Sequence, residues 1–280
     1  MMHYYQFKAP DISLSHSLDQ QPIPRNFHLH THAHAELYCF LAGNVTYHVE
    51  GTAYPLQPGD ILLMRPGEAH YAQVDPAAPY ERICVNFDTG IVSYLDPEGQ
   101  LLRPFFDRKA GKGNLYRSED GAYLRYMKKM CSPAPFERVS ILANLMLLLQ
   151  ELGATERNEQ PAADQDTLEY QMIRYINKNL GKELTLEALC ERFFVSRTEL
   201  CRRFKGATGV SVGSYIRVKR LLLAQQLLQQ GQKPTEVFSA CGYRDYSTFF
   251  RAYSKYFGHG PGSEQQFAQC LSADTRIVIG

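Results

Sequence analysis

Two stretches of the 280-residue chain repeat one short pattern that few folds can hold. In 186–205 (LEALCERFFVSRTELCRRFK), Leu186, Leu189, Cys190 and Phe193 fall on one face of a helix. Phe194 and Val195 read as a tight turn. Ser196 and Glu199 then have the S-x-x-E spacing of a capping box, which satisfies free N–H groups at the start of a second helix. Leu200 and Phe204, at i and i+4, face inward and leave Arg197, Thr198, Cys201, Arg202, Arg203 and Lys205 outside. The pattern returns in 234–257 (PTEVFSACGYRDYSTFFRAYSKYF). Pro234 suits a first helical turn, Gly242 is free to take the turn conformation, and Asp245 is the expected N-cap. Phe249 and Tyr253 point inward there, while Tyr246, Ser247, Thr248 and Arg251 point outward. A helix over 214–229, with Val218, Leu221, Leu222 and Leu228 buried, would hold the two units at a fixed distance. A short helix, a tight turn and a second helix with basic and small polar residues outside is the shape that enters a DNA major groove.

Charge divides the chain in the same place. Residues 1–167 carry 14 Lys and Arg against 20 Asp and Glu, a net of −6; residues 168–261 carry 15 against 7, a net of +8. An acidic part joined to a basic one implies that only the C-terminal part meets a polyanion. Between them, 153–166 (GATERNEQPAADQD) is polar and aperiodic and reads as a linker. The expected organisation is a domain over 1–152, the linker, a DNA-binding domain over 167–261 and a poorly patterned tail over 262–280.

The N-terminal part reads as strands. Glu36–Leu41, Val45–Val49, Thr52–Leu56, Ile61–Met64 and Arg82–Phe87 are separated by Gly43, Gly51, Gly59 and Gly67, with a hairpin turn expected at Glu50-Gly51. From Ser118 the period becomes helical. Tyr123, Tyr126, Met127 and Met130 share a face, and over 136–152 the residues Leu142, Leu145, Leu149 and Leu152 form a seam beside Ile141 and Leu148. A stripe this wide has two uses: packing on the strands, or contact with a second copy of the chain. The apolar run Val139–Leu149 is too short to span a bilayer and no signal peptide is read, so the expected location is the cytoplasm without membrane contact. Seven cysteines, an odd number with no C-x-x-C pair, fit reduced thiols better than a disulfide framework.

Two resemblances follow from these residues. Residues 168–261 resemble the DNA-binding domain of the AraC family of transcriptional regulators. The first half carries the likeness on Leu189, Ser196, Leu200, Phe204, Gly209, Tyr215, Arg220, Ala224 and Leu228. The second half carries it on Val237, Gly242, Tyr243, Phe249, Arg251, Tyr253, Phe257, Gly258 and Pro261. Cys190 and Phe238 stand where the family usually has Ala, so the second unit is expected to repack around Phe238. The resemblance, like the helix periodicity, points to Thr198, Cys201, Arg202, Ser247, Thr248 and Arg251 as base-reading residues. Arg197, Arg203 and Lys205 are then expected on phosphates, which give affinity without sequence choice.

His30-x-His32-x-x-x-Glu36 followed by Gly43 is similar to the first cupin motif, and Gly59-Asp60 followed by Pro66-Gly67-x-x-His70 to the second. Arg65 and Val74 depart from that pattern. The likeness implies an α+β chain: a cupin-like β-barrel with trailing helices, then an all-α domain with two helix-turn-helix units. It also implies a site at His30, His32, Glu36 and His70. That site is either a metal-free effector pocket or a centre for Zn, Fe, Mn or Ni. The leading reading is a ligand-responsive regulator of double-stranded DNA. It would act as a homodimer, be no enzyme, and meet RNA polymerase if it activates. Two alternatives remain open: a metal-dependent cupin enzyme carrying a DNA-binding tail, and a regulator whose cupin merely dimerises.

Overall fold

The computed structural model describes residues 2–27, 29–32, 34–118, 121–132, 135–155, 167–208 and 210–263. Most of the linker, Gly209 and all but the start of the tail lie outside the described residues. The chain divides into two compact units, Met1–Asp166 and Thr167–Gly280. No helix among the described residues is long and apolar enough to cross a membrane.

The first unit opens on a hairpin, β1 (Met2–Lys8) and β2 (Ile12–Asp19), followed by β3 (Ala35–Ala42), β4 (Val45–Val49), β5 (Thr52–Pro55), β6 (Ile61–Met64), β7 (His70–Val74) and β8 (Tyr80–Phe87). Two short helices, α1 (Gly90–Leu95) and α2 (Arg103–Phe106), the brief strand β9 (Leu115–Tyr116), and two longer helices, α3 (Ala122–Met130) and α4 (Glu137–Ala154), complete it. The strands make two sheets, in the orders β1-β2-β8-β3-β6-β9 and β5-β4-β7. The expected closed barrel is therefore corrected to a pair of facing sheets. Glu50 and Gly51 take φ of 50° and 83°, which gives the hairpin turn read from the sequence.

Strand β3 shows why the sheets pair this way. Side chains alternate along a strand, so its odd and even residues serve two cores. Leu37 and Cys39 pack with Ile61, Leu63, Ile83 and Val85, and with Val92, Phe105, Met127 and Leu145 of the helices. Tyr38 and Phe40 pack with Tyr47, Leu62, Met64 and Ala72, between the sheets. Glu36 has the parity of Tyr38 and so belongs to the inner face. The helical seam over 136–152 divides likewise: Leu145, Leu149 and Leu152 are buried against the large sheet, and Val139 and Leu147 stay exposed.

One buried ion pair ties the loop after α2 to the loop before β7. Arg108 places Nη1 2.7 Å from Glu68 Oε1 and Nη2 2.7 Å from Glu68 Oε2, and its Nη2 also donates to the Leu63 carbonyl. Gly111 N–H and Asn114 Nδ2 donate to the same carboxylate. Burial would raise the Glu68 pKa, but the Arg108 hydrogen bonds and charge outweigh it and hold the carboxyl below its ordinary value.

Among its described residues the second unit is built of helices: α5 (Leu168–Lys178), α6 (Leu186–Phe193), α7 (Arg197–Thr208), α8 (Val212–Gln229), α9 (Pro234–Ala240) and α10 (Tyr246–Phe257). A single 3-10 turn, Pro261–Ser263, follows. Thr167, Thr185, Ser211 and Asp245 each cap the helix they precede. Leu221, Ala224 and Leu228 of α8 pack with Val237, Phe249 and Tyr253. Phe238 does not disrupt this core. It lies at its edge and meets Tyr246 edge-on, with ring centres 5.9 Å apart. Arg220 on α8 donates to the carbonyls of Leu180 and Lys182. Gly242 lies under that arginine at φ 78°, where a Cβ would come within 2.6 Å of the Leu180 oxygen.

Two stability predictions follow. Gly242→Ala forces both a left-handed backbone and that overlap, so the second unit should lose more than about 1–2 kcal/mol in urea unfolding. Arg108→Ala leaves Glu68 buried without its counter-charge, and the first unit should lose about 3–5 kcal/mol in the same measurement.

Candidate functional sites: a histidine cluster and two recognition helices

The inner face of the first unit brings the four cupin-like residues together. The ligand atoms of His30, His32, Glu36 and His70 all lie within 4.8 Å of one another. Glu36 arrives on β3 and His70 on β7. His30 and His32 lie in the segment leading into β3. His30 is fixed by a two-way backbone bridge to His70, with both N–H···O distances 3.0 Å.

Glu36 Oε2 sits 2.8 Å from His32 Nε2 and 3.1 Å from His70 Nε2. Burial would raise the Glu36 pKa, but the contacts with His32 and His70 outweigh it and hold the carboxyl well below the usual carboxylate range. Burial would lower the His70 pKa, and the Glu36 contact reverses the sign and raises it.

The other nitrogens of these rings fix what faces the carboxylate. His32 Nδ1 is 2.9 Å from the His34 carbonyl, and His70 Nδ1 is 2.8 Å from the Glu68 carbonyl. A carbonyl only accepts, so each Nδ1 carries the hydrogen and donates it. In a neutral ring each Nε2 is then a bare lone pair aimed at a carboxylate. His70 Nε2 is buried without a directed hydrogen bond. Only a proton or a cation between the groups relieves this opposition. Metal-binding histidines are held in this way, with the far N–H on a carbonyl. The donor set of three imidazoles and one carboxylate fits the metals Zn, Fe, Mn and Ni.

A polar row runs from the cluster across the large sheet. Ser13 pairs with Asn86, and Asn86 with Glu36; one step along, Ser15 pairs with Cys84, and Cys84 with Tyr38. Directly opposed residues share a face, so these serines, Asn86 and Cys84 lie on the inner side with Glu36. They line a cleft of about 340 Å³ that Gln6 and Lys8 of β1 border. Asn86 Oδ1 is buried there without a hydrogen-bond partner. The reading of the sequence missed this row, although the alternation Ile12-Ser13-Leu14-Ser15 carries it.

In the second unit the two helix-turn-helix patterns fold alike. Phe194 makes the first turn at φ 55° and is 95% exposed. Ser196 Oγ accepts from Glu199 N–H at 3.2 Å, and Asp245 Oδ1 accepts from Thr248 N–H at 2.7 Å. Leu200 and Phe204, and in the other unit Phe249 and Tyr253, are fully buried. That orientation leaves Thr198, Arg202, Arg197 and Lys205 exposed, Cys201 and Arg203 half-buried, and Ser247, Thr248 and Arg251 exposed.

Only half of the expected capping box forms among the described contacts. The Glu199 side chain does not reach back; it pairs with Arg202, whose Nε and Nη2 lie 3.0 and 2.8 Å from Oε2, and with Arg203 Nε at 2.6 Å from Oε1. The hydrogen bonds from Arg203 and Arg202 lower its pKa. Arg203 also reaches Glu169 of α5, at 3.4 Å.

Residues 19–159 match the family model described as an AraC-like ligand binding domain, and residues 189–266 match a helix-turn-helix domain. The HTH-type transcriptional activator RhaR of Klebsiella pneumoniae is 26% identical over 261 residues, covering 87% of this chain and 89% of that protein. RhaR of an Enterobacter species is 25% identical, covering 85% and 87%. Among solved structures, a probable AraC family transcriptional regulator from Rhodopseudomonas palustris is 27% identical, covers 36% of this chain and 94% of that one, and superposes with a TM-score of 0.33. With the ligand-binding match spanning half of its length and a helix-turn-helix match following it, this chain belongs to the AraC family of DNA-binding transcriptional regulators.

Proposed function

We propose that this regulator takes up a small polar effector on the inner face of its first unit, along the row from Ser13 and Asn86 to Glu36, His30, His32 and His70. The observation that carries this reading is the pairing of an open cleft, lined by Ser13, Ser15, Gln6 and Lys8 together with Phe7 and Leu14, with a buried acceptor, Asn86 Oδ1, that lacks a donor. A ligand hydroxyl or amine supplies that donor. The serines and Lys8 offer further polar contacts, and binding to the native state raises the melting temperature. A small-molecule thermal-shift screen tests it. A hit on the wild type should lose its shift in His70→Ala and in Asn86→Ala. Retention of the full shift in both variants, and in the Ala variants of His30, His32 and Glu36, would remove the assignment.

The opposed lone pairs of His32 and His70 favour a second reading, in which a divalent cation is held by His30, His32, Glu36 and His70. The cation would supply charge neutralisation and an open coordination position for an oxygen or nitrogen of the effector. Protein purified without an affinity tag should then contain about one equivalent of metal, and Glu36→Gln should lose it. Family membership supports regulation over a metal-dependent cupin enzyme, and a turnover assay on the metal-loaded protein separates the two.

On DNA, Thr198, Cys201 and Arg202 of α7 read bases in one major-groove segment, and Ser247, Thr248 and Arg251 of α10 in the next, about one turn or ~10 base pairs away. Arg202 and Arg251 are suited to paired bonds with guanine, each contributing roughly 1–3 kcal/mol of discrimination. The exposure of Arg197 and Lys205 supports phosphate contacts, although Arg197 must loosen its exposed pairing with Glu187, at 3.4 Å, to make one. Arg203 can reach one only by giving up part of its hold on Glu199 and Glu169. The similar RhaR proteins are named activators, which supports activation and hence a contact with RNA polymerase in the cytoplasm. The exposed stripe of Val139, Ala143 and Leu147 on α4 supports a homodimer.

Two outcomes check this part. Arg202→Ala should relax preference at one or two positions of the site selected from random duplexes, while Lys205→Ala should weaken all duplexes alike. In sedimentation, Val139→Glu with Leu147→Glu should halve the mass of a folded dimer; an unchanged dimer mass would exclude that stripe as the interface.

A further inference from the structure

The two recognition helices can be aligned by their caps. Ser196 and Asp245 each accept the N–H three residues on, so Glu199 and Thr248 hold the same helical position. The buried anchors agree, since Leu200 matches Phe249 and Phe204 matches Tyr253. Thr198 then matches Ser247, and Arg202 matches Arg251. Glu199 therefore stands on the outward face, at the place where the second helix presents Thr248.

A carboxylate there is unwelcome to most DNA. The major groove shows it acceptors at guanine O6 and N7, at thymine O4 and at adenine N7, with phosphates on either side. Only the amino groups of cytosine and adenine can donate to it, and cytosine presents no acceptor beside its amino group. In the free protein two arginines hold Glu199. Arg202 binds it through two nitrogens, and Arg203 grips Oε1 at 2.6 Å. The Arg203 grip matters most, because Arg203 is itself steadied by Glu169. If Arg202 leaves for a guanine, the carboxylate stays held on one oxygen and turns the other outward.

We infer that Glu199 is a specificity-determining residue that accepts a hydrogen bond from a cytosine amino group, in the base step beside the guanine taken by Arg202. This rests on the base-reading role of Arg202 given above. The geometry makes the two contacts interdependent. A guanine without the neighbouring cytosine draws Arg202 off a carboxylate that then faces acceptors. A cytosine without the guanine leaves Arg202 on the carboxylate and blocks it. The first helix thus reads a step of two bases as one unit, whereas the second helix, with Thr248, has no charge at this position.

The test is selection from random duplexes by the full chain at one fixed salt concentration, with wild type, Glu199→Gln, Glu199→Ala and Arg202→Ala. Wild type should select a guanine column beside a cytosine column, and Arg202→Ala should lose the guanine. Glu199→Ala should lose the cytosine. Glu199→Gln should replace it by adenine, because an amide matches adenine N6 and N7. Discrimination for cytosine should fall by about tenfold. A second measurement needs no variant to fold. In the selected duplex, a 2-pyrimidinone, which lacks the amino group, replaces that cytosine, and wild-type affinity should drop by about the same factor. The inference is overturned if the Glu199 variants select the wild-type motif, if they melt like wild type but bind no DNA, or if the 2-pyrimidinone duplex binds as well as the parent. A motif changed by Arg202→Ala but by neither Glu199 variant sinks this inference alone. A motif unchanged by Arg202→Ala sinks the base-reading assignment beneath it.

Discussion

A carboxylate removed from water keeps its charge only beside groups that replace its hydration; Glu36 and Glu68 of the first unit are held that way, and Glu199, at the surface of the second, is held by arginines. Glu36 lies between the sheets with His32 and His70, Glu68 is enclosed by Arg108, and Glu199 is gripped by Arg202 and Arg203. The first two are linked through one residue. Glu68 holds the loop before β7 through its side chain, while its carbonyl accepts the Nδ1 hydrogen of His70. The buried salt bridge thereby fixes which ring nitrogen meets Glu36. Such a pair adds little net stability over apolar packing. Its effect here is to set the tautomer of a site residue from a distance.

The histidine cluster needs β3 to serve two cores. Its odd residues are committed to the helices and its even residues to the space between the sheets. A slip of one residue would turn Glu36 toward the helical core and bury a charge among leucines. The apolar alternation that packs the unit therefore also aims the carboxylate. His30 contributes through its backbone: the bridge to His70 draws the segment before β3 onto the small sheet and brings its own ring within 4.4 Å of the His70 ring centre.

Much of this was legible beforehand because the signals are local. Caps, turn glycines and the i, i+4 anchors specify each helix-turn-helix from about twenty consecutive residues, and the two recognition helices formed as read. The central strands were legible from their alternation, and the four cupin-like residues from their types and spacing. What escaped the reading depends on long-range contacts. Closure into a barrel is decided by whether edge strands meet, which no local pattern states, and the strands form two sheets instead. The hairpin β1–β2 went unread because serine is a weak strand former, although its period of two is regular. At 136–152 the seam was visible, but which leucines face the sheet depended on how the helix is docked. Glu199 was assigned to the cap because the S-x-x-E spacing is a strong signal. Arginines at i+3 and i+4 offered it partners that are themselves charged and that together bind through more than one nitrogen, where the backbone N–H is neutral.

That competition has a consequence for how the two recognition helices divide their work. The first presents Arg202 already paired with Glu199, so that arginine adds little to the attraction between the basic unit and any stretch of DNA. The second has no carboxylate at the matching position, and Arg251 approaches DNA with its charge unopposed from there. Attraction that ignores sequence is supplied by unpaired cations and fades with salt. Discrimination requires a contact that is lost at the wrong base. On the proposed reading, Arg251 of α10 and Lys205 of α7 would hold the protein to DNA, and the Arg202–Glu199 pair of α7 would engage only where the bases compensate both together. On the same reading the charge pair on α7 would lower affinity at other sequences, and that penalty would widen the gap between a correct site and the excess of wrong ones.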